Sequence, residues 1–247
     1  MRRPLLAVAA ALVLGVSLAA GPAEAGDDPS TAGAPSVGDC YDLTMTQAYE
    51  HAAPEPTVAC SRRHTLSVVA VGTIPASYDW STVDWDHFPR PLGRAITRVC
   101  EPATVRLLGN VVQRARTLYQ DWWFVPSEAE IADGARWFSC EVGLTTTDAL
   151  LALPAGQPTK ITKRIPASIG YCAYQAKGGY PTVACSHPHQ WRATFTKLVR
   201  LEPTDQNARK AANSTCPRPM RSRNWLYSID PTSPQAFVLR CLDQTRH

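Results

Sequence analysis

The chain has 247 residues, of which 45% are hydrophobic and 19% charged, and its formal net charge is +4 at pH 7. This length suffices for one or two domains with apolar cores, and so mild a charge argues against a nucleic-acid-binding protein. Eight cysteines, an even number, are typical of a protein that pairs its thiols in an oxidising compartment.

The chain begins with the pattern of an export signal. Two arginines precede an apolar run over residues 5–20, and Ala23-Glu24-Ala25 has the small-x-small form that signal peptidase cleaves. Beyond it no apolar run reaches the roughly 20 residues that cross a bilayer. We therefore predict a signal peptide over residues 1–25 and an extracytoplasmic product without a membrane span, secreted or associated with the cell envelope.

A nine-residue segment occurs twice in the chain. Residues 56–64 are PTVACSRRH and residues 181–189 are PTVACSHPH, so seven of the nine positions are identical. The cysteines divide into two sets of four, and the repeated segment contains the second cysteine of each set. Such a repeat favours a doubled scaffold or binding surface over one assembled active site. We therefore predict two tandem modules, over residues 36–144 and 165–247.

The segments outside the two modules differ in character. Residues 26–35 are small, polar and rich in proline and glycine, which predicts a disordered leader. Residues 145–164 form the predicted linker, but its apolar Leu150, Leu151 and Leu153 indicate that part of it packs against a module.

Both modules show the same order of predicted elements: two short strands, a longer strand, an amphipathic helix and two closing strands. In module 1 the strands fall at residues 37–43, 57–61, 66–74, 122–125 and 136–144, and the helix has an apolar stripe from Leu92 to Ala103. In module 2 the later strands fall at residues 191–201, 225–229 and 237–242, and the helix at 205–216. Pro102 is predicted to kink or end the first helix. The pattern predicts an α+β fold, with one helix packed on a small antiparallel sheet in each module.

This layout also predicts how the cysteines pair. The first two cysteines of each set lie on candidate neighbouring strands, the third at the end of the helix and the fourth on the closing strand. The predicted disulfides are Cys40 with Cys60, Cys100 with Cys140, Cys172 with Cys185, and Cys216 with Cys241. Two disulfides in each module would stabilise units that are small for an independent core.

Several short motifs of module 1 occur together in a known family. They are Gly38-Asp39-Cys40, Cys60-Ser61 with His64, Cys100, and Pro126 followed by Gly134-Ala135-Arg136 and Cys140. In these motifs the chain resembles the septum-formation domain family of exported actinobacterial proteins. The resemblance implies a role in septation or envelope assembly, and it brings no defined catalytic activity.

Module 2 resembles the same family more loosely, as a divergent second copy. The matching residues are Gly170, Cys172, Cys185, Ser186, Pro188, His189, Cys216 and Cys241. It lacks the glycine-x-arginine motif before its last cysteine. Module 1 departs too, because Arg63 stands where a proline often precedes the histidine.

The histidines of the repeated segment, His64 and His189, occupy equivalent positions beside a predicted disulfide. A repeated position favours a structural hydrogen bond that fixes the turn. Cysteine–histidine catalysis is less favoured, because a nucleophilic cysteine must remain a thiolate. His187-Pro188-His189 leaves metal binding, and with it a metal-sensing role, as a further alternative, although only module 2 has this tripeptide.

Module 1 has an insertion over residues 78–88 that is rich in aromatic and acidic side chains. The candidate ligand-binding residues are Asp79, Trp80, Asp84, Trp85 and Asp86. Exposed indole rings beside carboxylates stack on sugar rings and hydrogen-bond their hydroxyls, which predicts binding of a wall glycan. The alternative is a packed loop that covers the core of the module.

The leading functional hypothesis is an exported, non-enzymatic binding or assembly module of the cell envelope, linked to septum formation and cell division. Its expected partner is an envelope protein or a wall glycan, and no cofactor or metal is expected. The alternative is a cell-wall hydrolase or other envelope enzyme whose titratable residues meet in one cleft, between the modules around His64, Asp84, Asp86 or His189. Five basic residues late in the chain form a patch: Arg209, Lys210, Arg218, Arg221 and Arg223. This patch either binds an anionic wall polymer or headgroup or is simply a solvated face of the protein.

Overall fold

The computed structural model describes residues 28–53, 55–79, 83 and 89–245. The signal peptide predicted over residues 1–25 lies outside these ranges. Among the helices they contain, none combines the length and the apolar character that a membrane span requires.

Both halves of the chain contain strands and helices. The first half contains β1 (Cys40–Tyr41), α1 (Met45–Ala48), β2 (Leu66–Thr73), α2 (Arg90–Leu108), α3 (Val111–Arg114), β3 (Tyr119–Phe124), α4 (Glu128–Ala132), β4 (Trp137–Thr145) and β5 (Leu150–Leu151). The second half contains β6 (Tyr171–Ala173), β7 (Thr182–Ala184), β8 (Trp191–Val199), α5 (Asp205–Thr215), β9 (Trp225–Ser233) and β10 (Ala236–Gln244).

The strands form two antiparallel sheets, and the fold is α+β, as predicted. The first sheet has the order β1-β2-β4-β3, with β5 added to β4, and the second has the order β7-β6-β8-β10-β9. A bridge between Cys40 and Val58 continues the first sheet beyond β1, at the place that β7 occupies beside β6. The chain therefore passes through both sheets in the same sequence of positions.

Helix α2 packs on the first sheet through one apolar stripe. Leu92, Ile96, Cys100 and Ala103 are buried at three- and four-residue steps. Of the two effects expected of Pro102, the helix does not end there but continues to Leu108. Proline removes one backbone hydrogen bond, but the burial of the residues beyond it holds the last turns in place, and the helix ends before Gly109, whose φ is 106°.

Helix α5 packs on the second sheet through small side chains. Ala208, Ala211 and Ala212 are buried, and they contact a core that includes Phe237 and Leu239 of β10. Thr204 begins the helix, because its hydroxyl accepts a hydrogen bond from the N–H of Asn207.

Three short helices were missing from our prediction, although the sequence contains their signal. Each of α1, α3 and α4 begins with a capping box, in which a polar side chain and a Gln or Glu three residues later bond each other's backbone N–H. The pairs are Thr44 with Gln47, Asn110 with Gln113, and Ser127 with Glu130.

All eight cysteines form disulfides in the predicted pairing. Cys40 bonds Cys60, Cys100 bonds Cys140, Cys172 bonds Cys185, and Cys216 bonds Cys241. In each half, one disulfide ties the first strand to the repeated PTVACS segment and the other ties the helix to the closing strand. The crosslinks therefore occupy the same places in both sheets.

The described part of the predicted leader, residues 28–35, contacts the first sheet. Trp137 Nε1 donates to the carbonyl of Ala32 at 3.0 Å, and the N–H of Arg136 donates to the carbonyl of Ser30 at 2.8 Å. The segment forms a 3-10 turn over Pro29–Thr31. Polar and small residues can order in this way when a neighbouring strand offers them hydrogen-bond partners.

The two sheets share a hydrophobic core. It combines Val142 and Leu144 of β4 and Leu118 with Ile161, Ile165 and Ile169 from the connecting segment and Ala184 of β7. The predicted packing of the linker leucines is also present, since Leu150 and Leu153 are buried. Backbone bonds reinforce the joint: Leu118 N–H donates to Ile169 at 2.9 Å, and Tyr171 N–H donates to Arg116 at 3.0 Å.

Candidate functional site

The two histidines of the repeated segment make the same hydrogen bond. His64 Nδ1 lies 2.9 Å from the carbonyl oxygen of Arg62, and His189 Nδ1 lies 2.7 Å from that of His187. A carbonyl oxygen accepts only, so Nδ1 carries the proton and donates in both turns. Each ring therefore contacts the turn that follows its disulfide, and the arrangement is the same in both halves.

The position of His64 is unsuited to catalysis. The residue is fully buried, and its Nε2 has no hydrogen-bond partner among the described residues. A general base must come within hydrogen-bond distance of the proton that it removes. Because Nε2 is covered by protein and Nδ1 is engaged with backbone, neither nitrogen reaches a substrate in this conformation.

His189 lies beside two sulfur atoms. Ligand atoms of Cys172, Cys185 and His189 are all within 4.8 Å of one another. The two sulfurs form a disulfide, however, and a metal site would need them as thiolates. In the oxidised protein this group is therefore a crosslink with a neighbouring imidazole.

Most of the aromatic and acidic insertion lies outside the described residues. Trp80, Asp84, Trp85 and Asp86 are not among them, whereas Asp79 is described and is exposed. At its described positions the insertion contacts protein, because Tyr78 and Val83 pack against the core beneath α2. Arg136 also donates a hydrogen bond to the carbonyl of Tyr78. The glycan-binding hypothesis remains a prediction.

A cleft of about 370 Å³ lies between the two sheets, where we expected a hydrolase to gather its titratable residues. Its described lining includes neither His64 nor His189. Asp121 accepts two 2.7 Å bonds from the buried Arg114, and Asp230 pairs with the buried Arg240. Each of these ion pairs lies within one half of the chain, and the bond that crosses the joint is donated by Arg240 Nε to the carbonyl of Ala115 at 2.6 Å.

A second cleft, of about 810 Å³, lies at the end of the second sheet. We call it the arginine cleft, because Arg116, Arg192 and Arg221 line it. The other residues that line it are Thr194, Pro219, Ser222, Asp243, Gln244 and Thr245. One arginine comes from the segment before β3, one from β8 and one from the segment after α5, so the fold assembles the cleft from distant parts of the chain.

Asp243 is the one carboxylate in the described lining of the arginine cleft, and it is buried. Its oxygens accept from the backbone N–H groups of Arg221 and Ser222, at 3.0 and 2.9 Å. In the β8–β10 register it stands opposite Arg192. Asp243 therefore fixes the turn that carries Arg221, and among the described residues no carboxylate lies within 4.0 Å of any of the three guanidinium groups.

Arg116 lies in an electrostatically unfavourable environment. Its Nε is buried without a hydrogen-bond partner in the described part of the chain. Burial, and after it the positive charge of Arg192, lower the pKa of Arg116 below its ordinary value. Two guanidinium groups are thus held close together by the fold.

Sequence reasoning identified Arg221 within the late basic patch but missed Arg116 and Arg192. They lie far apart in the chain and belong to different halves, so no local pattern joins them. Only the docking of the two sheets brings them together.

Comparison with known proteins gives one match. A family model described as "Septum formation" matches residues 37–223. The match runs across both sheets and ends before β9. No curated protein and no solved structure matches the chain.

Proposed function

The chain belongs to the septum-formation family, and from this membership we propose that it is an exported, non-enzymatic binding and assembly protein of the cell envelope that acts in septum formation. We propose further that its two sheets are two tandem copies of one unit, the second divergent. The equal strand order and the equivalent disulfides support the duplication.

One observation carries the non-enzymatic part of the proposal. The side chains most suited to nucleophilic or acid–base chemistry, the cysteines and the repeated histidines, are engaged in crosslinks and turns at equivalent places in both halves. A doubled scaffold uses its residues in this way, whereas an active site needs one accessible set.

The four disulfides support export. Disulfides form and persist outside the cytoplasm, where no reducing thiol pool opposes them. The export signal expected over residues 1–25 and the family assignment agree with this location. The proposed working place is therefore the envelope, close to the forming septum.

A pair of histidine variants tests the non-enzymatic proposal. Asn places a side-chain N–H near the position of His Nδ1, so His64→Asn keeps the turn bond, whereas His64→Ala removes it. We expect H64N to retain function in cells and H64A to lose function only as far as it loses folded protein, measured by its melting temperature. A folded H64N protein that loses all function would contradict a purely structural histidine.

Crosslinking in intact cells tests the location and the binding role. A tagged protein, with its disulfides intact, is crosslinked in dividing cells, and the captured wall fragments and proteins are identified. We expect enrichment at septa and recovery of the same envelope components from independent cultures. Protein that only diffuses freely in the medium would overturn the septal assignment.

The insertion is the proposed glycan contact, and paired substitutions test it. Trp80→Ala with Trp85→Ala should abolish binding to purified wall glycan while the melting temperature stays unchanged, if the rings are exposed ligand contacts. A large fall in the melting temperature would instead identify them as core residues and remove the glycan proposal.

A further inference from the structure

We propose that the arginine cleft is a binding site for phosphate esters, and that its ligand is a phosphate group of an anionic envelope polymer. The proposal deepens the binding role proposed above and rests on that role for the source of the ligand. The site itself is argued from the side chains that line it.

Charge is the first argument. The described lining contains three guanidinium groups, those of Arg116, Arg192 and Arg221, and one carboxylate, that of Asp243. Both oxygens of Asp243 already accept hydrogen bonds from backbone N–H groups. Guanidinium groups in proteins remain protonated and are costly to hold close together without an anion. The cleft therefore has an excess of positive charge in a concave site, and its electrostatic field would attract an anionic ligand.

The buried nitrogen of Arg116 is the second argument, and it is independent of net charge. Arg116 Nε is buried and has no partner in the described part of the chain. A buried donor that lost its water and gained no acceptor destabilises the fold, and a charged donor does so more strongly. The backbone of this residue is nevertheless held in place, because its carbonyl accepts from Tyr171 across the joint. A ligand oxygen would satisfy the donor without any change of fold.

The number of donors favours phosphate over carboxylate. One guanidinium fork saturates one carboxylate, but a phosphate offers three or four oxygens and can accept from several arginines at once. The hydroxyl of Ser222 adds a neutral donor to the same lining, whereas those of Thr194 and Thr245 already donate to Met220 Sδ and to the carbonyl of His189. A volume of about 810 Å³ holds a phosphate group together with the sugar or glycerol units on either side of it.

The proposal separates the cleft from the basic patch expected from the sequence. Arg209, Lys210 and Arg218 are exposed and are not among the residues that line the cleft. Exposed charges contribute weak, screened attraction, whereas convergent arginines in a concave site contribute directed hydrogen bonds. The two surfaces therefore predict different effects of substitution.

Binding measurements on the full exported chain test the site. The tag is placed at the amino-terminal end, because Thr245 lines the cleft. The probes are inorganic phosphate, a poly(glycerol phosphate) oligomer, vesicles that contain phosphatidylglycerol, and polyglutamate as the carboxylate polymer. Calorimetry at two salt concentrations gives the dissociation constants.

Three variants carry the comparison. R116Q/R192Q removes the two inner charges and R221Q removes the outer one, while R209Q/R218Q makes the same charge change as the double variant outside the cleft. R221Q is the safeguard against misfolding, since among the described residues the Arg221 side chain makes no hydrogen bond. Melting temperatures and thiol titration verify that each variant is folded with its four disulfides.

We expect the glycerol phosphate oligomer to bind the wild type, and R221Q and R116Q/R192Q to weaken it by roughly tenfold to a hundredfold. R209Q/R218Q should weaken it by about twofold at most, and polyglutamate should bind far less tightly than the phosphate oligomer. Preference among free phosphate, oligomer and vesicles then identifies the source of the phosphate group.

Two results would overturn the inference. If the cleft variants and R209Q/R218Q weaken oligomer binding equally, the ligand is attracted by a diffuse basic surface and not by a site. If polyglutamate binds as tightly as the oligomer, the cleft does not select phosphate over carboxylate. The outcome is separable from the proposed function. Loss of phosphate binding with intact septal crosslinking removes only the cleft assignment, whereas phosphate binding by a protein that never meets the envelope removes only the septal role.

Discussion

Glu141 gives the sharpest test of the fold. It lies in β4 between Val68 of β2 and Trp122 of β3, and none of its surface is exposed. Neither carboxylate oxygen has a hydrogen-bond partner in the described part of the chain. Burial raises the pKa of this carboxyl well above its ordinary value, and the weaker opposing influence of Ser139 does not reverse the direction. We predict that Glu141→Gln stabilises the protein at neutral pH.

The magnitude follows from proton linkage. The unfolded chain releases the Glu141 proton once the pH exceeds about 4.5, whereas the folded protein keeps it up to the raised pKa. The contribution of Glu141 to stability is therefore complete below the unfolded pKa and is lost as the pH rises through the folded pKa. The loss is about 1.4 kcal/mol per pH unit, or about 2.7 kcal/mol over two units inside this window. Glutamine is neutral and similar in shape, so this slope is absent from the variant.

Urea unfolding between about pH 5.5 and 7.5, followed by tryptophan fluorescence with the disulfides intact, measures both slopes. Glu50→Gln is the matched control, because Glu50 is exposed and carries the same chemical change. We expect the stability difference between E141Q and the wild type to grow with pH and the E50Q protein to follow the wild type. Parallel pH profiles for E141Q and the wild type would refute a buried, protonated Glu141.

Two further predictions concern crosslinks and packing. The Cys100–Cys140 disulfide closes a separation of 40 residues, and the Cys172–Cys185 disulfide closes one of 13. Loop entropy therefore predicts that serine substitution lowers the free energy of unfolding in urea by about 4 kcal/mol for the first pair and by about 3 kcal/mol for the second. An equal or reversed order would contradict that reasoning. In Gly72→Ala the new Cβ would lie 2.3 Å from the buried ring of Phe138, so we expect this variant to be destabilised by about 1–3 kcal/mol. The control is T73A, because Thr73 is exposed. An unchanged melting temperature for G72A would show that the ring does not cover this glycine.

Local patterns were sufficient to predict the long strands, helices α2 and α5, and the crosslinks. The alternation of apolar residues marks the long strands, and the stripe from Leu92 to Ala103 marks α2. The disulfide pairs followed because each cysteine sits on an element whose neighbour was predictable. These features depend on contacts within one sheet, which is the range over which residue spacing carries information.

The missing features depend on contacts between distant segments. Leu118 and Ile169 meet across the joint, and nothing in either local sequence indicates the other. The contacts of residues 28–35 depend on the Trp137 indole far along the chain. Glu141 gave a hint that we did not use, since a glutamate amid the apolar and aromatic residues of a strand covered on both faces must be buried without water.

The joint between the sheets bears on which part of the chain is the functional unit. Leu118, Val142 and Leu144 of the first half are buried against the connecting segment and the second half, so separation of the halves would expose them to water. The arginine cleft has the same dependence, because Arg116 belongs to the first half and Arg192 to the second. A single family match that spans both sheets agrees with this arrangement. Whatever the origin of the repeat, the pair of sheets, and not either copy alone, is the smallest unit that contains the proposed site.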